Sequence, residues 1–156
     1  MVTSWITTSS TNMEAVVNPL IAACEREIIP DRLYFTKTAQ VAEEMEAVER
    51  LAREVIDAYG GSEPEVHTTE LDQEQDFDTL HAHVKSAVEA TKEGDGYAAV
   101  DITPGRKFMT AISFAAGMQY GADSVYYLYL NPRKYGLLYP ELPRSGITLY
   151  DFTEEL

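Results

Sequence analysis

The chain has one cysteine in 156 residues, Cys24, along with five lysines and three histidines. A single cysteine excludes a disulfide framework and any multi-cysteine zinc site, and its place in an apolar helical pattern predicts a packed thiol rather than a nucleophile. No apolar run approaches the ~18 residues a membrane helix requires, and no charged-then-apolar leader opens the sequence. A cytoplasmic location with no membrane partner is therefore expected. Positive charge is scarce: 12 Lys and Arg stand against 26 Asp and Glu, a net charge of −14. That balance argues against general binding to duplex nucleic acid. No Gly-x-Gly-x-x-Gly follows the first predicted strand, which disfavours an ordinary dinucleotide site, and no Gly-x-x-x-x-Gly-Lys occurs.

What is present is alternation. Val2–Thr8 reads as a strand, followed by the hydroxyl-rich run Ser9-Ser10-Thr11-Asn12 and a helix carrying Met13, Val16, Val17, Leu20, Ile21 and Cys24 at helical spacing. Thr11 or Asn12 is expected to cap that helix, and Pro19 to kink it or begin its regular part. A turn at Pro30-Asp31 leads to a second strand, Arg32–Thr36. A long helix spaced by Val41, Met45, Val48, Ala52, Val55 and Ile56 ends at Gly60-Gly61. Glu65–Leu71 is a third strand, and a further helix marked by Phe77, Leu80, Val84, Ala87 and Val88 ends at Gly94. The negative charge is concentrated here: residues 39–95 hold 16 acidic and 4 basic side chains. His81 and His83, two apart, face different sides of one helix and cannot chelate an ion together, so no metal site is expected.

The sequence is organised around residues 97–130. Tyr97–Val100 is a short apolar strand, Asp101-Ile102-Thr103-Pro104-Gly105-Arg106-Lys107 a turn bearing two cations, Lys107–Tyr120 a helix apolar nearly all round, and Ser124–Leu130 another strand. Gly146–Phe152 is a last possible strand. Strand and helix alternating throughout predict an α/β, Rossmann-like fold: an open, mainly parallel sheet with helices on both faces, as a single domain over residues 1–156. In such folds ligands gather at the carboxyl ends of the strands, where strand order reverses. The loops Thr8–Asn12 and Thr103–Lys107 both lie at that end. Gly105 lets backbone approach a ligand, a helix N-terminus offers unpaired N–H groups and partial positive charge, and Arg106 and Lys107 add two full charges. Together these suit an anion such as phosphate; the plainer alternative is an ordinary strand-to-helix turn with solvated cations.

These residues carry a resemblance. Ser9 to Asn12 after the first strand, Asn18-Pro19-Leu20, Pro30-Asp31-Arg32-Leu33-Tyr34 and above all Asp101-Ile102-Thr103-Pro104-Gly105-Arg106-Lys107-Phe108-Met109 make the chain similar to a CARF (CRISPR-associated Rossmann fold) domain. The family's turn usually reads Asp-x-Thr-Gly-Gly-Thr-Lys; here Pro104 replaces a glycine and Arg106 a hydroxyl residue. The resemblance implies a homodimer with a cyclic oligoadenylate as its partner ligand, held on a two-fold axis by two copies of Thr8, Ser9, Ser10, Thr11, Asn12, Thr103, Pro104, Gly105, Arg106 and Lys107. Nothing after Leu130 matches an effector domain, so a stand-alone protein is expected that cleaves the ring, sequesters it or signals through a partner. Cleavage would need neither metal nor cofactor, because the ribose 2′-OH attacks the adjacent phosphorus. Lys107, assisted by Arg106, is expected to stabilise the phosphoryl charge and Ser10 to position the ring. The tyrosines Tyr126, Tyr127, Tyr129, Tyr135 and Tyr139 are expected mainly in core or interface packing.

Overall fold

The sequence places short apolar or β-branched segments between amphipathic helices, and each segment becomes a strand of one sheet. The computed structural model describes residues 1–131 and 136–156. Its strands are β1 (Thr3–Ile6), β2 (Arg32–Lys37), β3 (Glu65–Glu70), β4 (Tyr97–Asp101), β5 (Ser124–Leu130) and β6 (Ile147–Asp151), and they lie in the order β3-β2-β1-β4-β5-β6. The first five are mutually parallel, whereas β6 runs antiparallel to β5, pairing Leu149 with Leu128. The fold is α/β and Rossmann-like. Strand order reverses at β1, which has β2 on one side and β4 on the other.

The helices cover both faces. α1 (Met13–Glu25) and α2 (Ala42–Ala58) pack together on one face, and α3 (Phe77–Glu93) and α4 (Lys107–Gln119) on the other. Strand alternation divides the core accordingly: Trp5 is buried with Leu20, Leu33 and Val48, and its neighbour Ile6 with Val84, Val88 and Val100. Trp5 stacks on Tyr126 with ring centroids 5.8 Å apart. Cys24 is packed in the first core, where burial pushes its thiol up to about 12. No helix among the described residues is long and apolar enough to cross a membrane.

Three local features differ from the sequence reading. α1 runs continuously through Pro19, so its regular part does not begin there, and every residue from Val16 to Cys24 is buried. The reason lies in the segment after β5. Asn18 donates from Nδ2 to the Leu137 carbonyl (3.0 Å) and accepts the Tyr139 N–H (2.8 Å), strapping residues 137–139 across a third side of the helix. Second, Asn12 occupies the N-cap position of α1 but its side chain makes no cap bond. Third, α4 buries Met109, Ile112, Ser113, Ala116 and Gly117 and leaves Phe108 and Met118 exposed, so its apolar outer face is not covered. A lid over residues 131–135, which the sequence allows, and Tyr135 with it, fall on 132–135, outside the described residues.

Candidate functional site

Two loops meet at the carboxyl end of β1 and β4 because these strands are neighbours in the sheet. Thr8 Oγ1 donates to the Pro104 carbonyl at 3.3 Å, joining residues 96 positions apart. The β4 end is organised by Asp101, which is fully buried. Its carboxylate accepts the Thr103 N–H (3.0 Å), closing a tight turn, and the Thr7 hydroxyl (3.0 Å), tying that turn to β1. Burial raises the Asp101 carboxyl to about 7, against the opposing pull of the bonds from Thr103 and Thr7. Thr103 in turn accepts the Leu128 N–H through Oγ1 at 2.9 Å, so its hydroxyl extends the β4–β5 contact. Gly105 is held at φ +90°, and a Cβ there would stand 3.0 Å from Thr8 Oγ1 and 3.3 Å from Met109 Cβ. Only glycine fits that turn without strain.

Behind β1, His83 of α3 braces the other loop. Its Nε2 lies 2.8 Å from the Thr7 carbonyl and its Nδ1 2.9 Å from Thr69 Oγ1. A carbonyl only accepts, so Nε2 carries a proton, and with the ring kept neutral by burial Nδ1 accepts from the threonine. Burial lowers its pKa to about 4, outweighing the bond to Thr7. One side chain thus fixes β1 to β3 through α3.

The predicted site residues divide into two groups. Thr8, Ser9 and Pro104 are buried and Thr103 half-buried; the Ser9 hydroxyl lies 3.1 Å from Thr36 Oγ1, so the hydroxyls of Thr8, Ser9 and Thr103 all serve the scaffold. Ser10, Thr11, Asn12, Gly105 and Arg106, together with the scaffold-bound Ser9, line one cavity of about 260 Å³ between the loops. The Ser10 hydroxyl accepts the Asn12 N–H at 3.0 Å and so shapes that rim. Lys107, although adjacent to Arg106, lines a different cavity of about 490 Å³ on the β5 side of the turn, together with Thr103, Phe114 and Tyr127. The turn therefore presents one cation on each side. Three helices that begin here lack a side-chain cap, α1 at Asn12, α2 at Val41 and α4 at Arg106, whereas α3, whose preceding loop brings Glu74 to the same cavity, is capped by Asp76. Uncapped first turns leave N–H donors for an anion.

No protein-family model matches the sequence, and no curated protein matches it. Solved structures do. Superposition on a type III CRISPR defence DNA nuclease activated by cyclic oligoadenylate gives a TM-score of 0.59 at 17% identity, covering 83% of this chain and 19% of that one. Csm6 of Enterococcus italicus, bound to cyclic hexa-2′-fluoro-hexa-dAMP, gives a TM-score of 0.60 at 14% identity, covering 88% of this chain and 35% of that one. The fold is shared with parts of CRISPR proteins. The chain spans about a fifth and about a third of these two neighbours, and at such identities the likeness extends to the fold.

Sequence reasoning identified the two loops but not their internal supports. Thr7 precedes the hydroxyl run and looks like one more strand residue, and only the sheet order brings it to Asp101. His83 did carry a signal. It falls on the stripe of Leu80, Val84 and Ala87 that buries α3, where an isolated polar residue requires partners.

Proposed function

We propose that the chain binds a cyclic oligoadenylate, cyclic tetra-adenylate in the first instance, as a homodimer, and cleaves it without a metal to linear di-adenylate ending in a 2′,3′-cyclic phosphate, thereby switching off type III CRISPR signalling. The observation that carries this reading is the crevice at the strand-order reversal. Uncapped helix starts and Arg106 border it, and Lys107 stands on the other side of the same turn, in a fold shared with a nuclease activated by cyclic oligoadenylate and with a Csm6 holding a cyclic hexanucleotide analogue.

The cleavage step is internal to the ligand. A ribose 2′-hydroxyl loses its proton as its oxygen bonds to the neighbouring phosphorus, the bond from phosphorus to the 5′-oxygen breaks, and the 5′-oxygen takes up a proton in return; the pentacoordinate state gathers negative charge on the non-bridging oxygens. Lys107, with Arg106 across the turn, supplies the compensating charge, and the α4 N–H groups add to it. Ser10 and Asn12 orient the ring from the β1 side. Asp101, half protonated near neutrality, organises the turn while holding less than a full negative charge beneath it.

Dimerisation is supported by the outer side of α4 and the β5–β6 edge. Phe108, Tyr129 and Tyr150 are exposed there, Tyr150 stacks on Phe152 at 6.4 Å, and residues 102–150 contain only two carboxylates, Asp123 and Glu141. A chain of net charge −14 can approach its own copy where its acidic groups are few.

A second reading, a module that retains the ring intact, is favoured by the number of hydroxyls already committed to the scaffold, which leaves fewer groups to align an attacking oxygen. Incubating the purified protein and Lys107→Ala with radiolabelled cyclic tetra-adenylate in EDTA separates the two. Linear product from the wild type and not the variant supports cleavage; retention without product supports the second reading; loss of both ends the proposal.

A further inference from the structure

The sequence between β3 and α3, Asp72-Gln73-Glu74-Gln75-Asp76, is a short acidic loop closed by one internal bond, from the Asp76 N–H to the Gln73 carbonyl at 3.2 Å. Leu71 N–H donates to the Lys37 carbonyl, and Asp76 caps Thr79. Its middle reaches across the crevice. Glu74 Oε2 lies 3.2 Å from Arg106 Nε, and among the described residues this ion pair is the polar contact joining the loop to the α4 turn. The pair also divides a groove. On one side is the cavity of about 260 Å³ that contains Ser10 and Asn12; on the other is one of about 360 Å³ between Gln40, Asp72, Gln73 and Gln75; both are lined by Glu74 and Arg106. Singly, these fall near the lower end of the range for ligand pockets; joined, they fall well inside it.

We propose that Glu74 is an internal stand-in for the ligand's anion: its carboxylate holds the position at Arg106 that a phosphate would take, and binding displaces it, releasing the 72–76 loop and merging the two cavities. This rests on the reading that the crevice takes an anionic nucleotide. The exposures fit a contact built to be exchanged. The Arg106 side chain is 81% exposed and that of Glu74 34%, and so open a pair is weak enough for a multiply charged ligand to break. Displacement removes a carboxylate from the site as a phosphate enters, and frees a loop carrying Asp72, Glu74 and Asp76 to respond.

The test uses the whole chain with Glu74→Gln, Arg106→Gln, the double variant, and Asp72→Asn as a control that removes an equal charge from the same loop. Amide hydrogen exchange without ligand is expected to quicken at residues 72–76 in both single variants of the pair, with no further gain in the double variant and none in Asp72→Asn. Unchanged exchange in Glu74→Gln and Arg106→Gln overturns the proposal. Affinity for cyclic tetra-adenylate, and separately for inorganic tripolyphosphate, is expected to rise about threefold to fivefold in Glu74→Gln, and not in the Arg106→Gln background. An equal rise in Asp72→Asn, or a rise that survives Arg106→Gln, overturns it by showing a mere change of field. Should tripolyphosphate follow this pattern while cyclic tetra-adenylate is retained by no variant, the ion-pair mechanism stands and the nucleotide assignment fails.

Discussion

Two buried titratable groups support the crevice, and their shifts have opposite signs. His83 falls from 6.5 to about 4, so its folded form resists protonation: its contribution to stability is complete above pH 6.5 and is lost as pH falls toward 4. At 1.36 kcal/mol per unit, the difference of 6.5 − 4 corresponds to about 3 kcal/mol. Asp101 rises from 3.8 to about 7, so its contribution is complete below pH 3.8 and is lost as pH climbs to 7, a matter of about 4 kcal/mol. Between pH 4 and 6.5 the two slopes oppose one another. Urea unfolding followed by fluorescence of Trp5, the one tryptophan of the chain, should therefore show a nearly level profile in the wild type over that interval. Asp101→Asn removes one arm: stability should drop by about 3 kcal/mol from pH 6.5 to 4. His83→Gln, which keeps an N–H for the Thr7 carbonyl, removes the other, and stability should drop by about 4 kcal/mol from pH 4 to 7. A level profile in Asp101→Asn would refute the reasoning, since it would mean that His83 titrates as a solvated imidazole does and is not held neutral between Thr7 and Thr69.

Gly105→Ala should cost about 1–3 kcal/mol in the same unfolding assay and abolish retention of cyclic tetra-adenylate in a filter-binding measurement, because its Cβ meets Thr8 Oγ1 at 3.0 Å in a turn at φ +90°. Asn18→Leu, which strands the buried Tyr139 N–H and the Leu137 carbonyl, should cost about 2–4 kcal/mol and quicken amide exchange at residues 137–139. On the proposed self-association, the wild type should sediment as a dimer, and Phe108→Glu combined with Tyr150→Glu should leave the far-ultraviolet circular dichroism unchanged and yield a monomer at the same concentration. A dimer that persists would place the self-contact elsewhere.

Much of the fold was legible because its signals are local. Each strand and helix has its own periodicity and punctuation, and five strands alternating with helices leave few arrangements beyond a parallel sheet. The antiparallel course of β6 was not legible, since a lone amphipathic segment such as Ile147–Asp151 carries no mark of direction. Apolar residues all round a helix mean burial only if something covers them. In α1 the strap at residues 137–139 does so, whereas in α4 Phe108 and Met118 stay exposed. The cationic turn and the hydroxyl run were legible as loops, because glycine, proline and clustered hydroxyls are turn residues. How their side chains divide was not. Thr8, Ser9 and Thr103 look identical to ligand-binding hydroxyls in sequence, and Arg106 and Lys107 look like one charge cluster. Only the path of the chain around Gly105 sends the two cations to opposite sides.

The crevice joins residues 7–12 to residues 101–107, through a contact such as Thr8 to Pro104 that spans 96 positions. During synthesis, therefore, a ribosome must release two thirds of the chain before the second wall exists, and the hydroxyl loop waits without its counterpart. A ligand can recognise only the two walls together. Any stabilisation it confers is then conferred on the whole cooperative unit, as RT ln(1 + [L]/Kd), with none on a partly made chain. Appearance of ligand binding during translation would accordingly serve as a clock for the joining of β1 to β4.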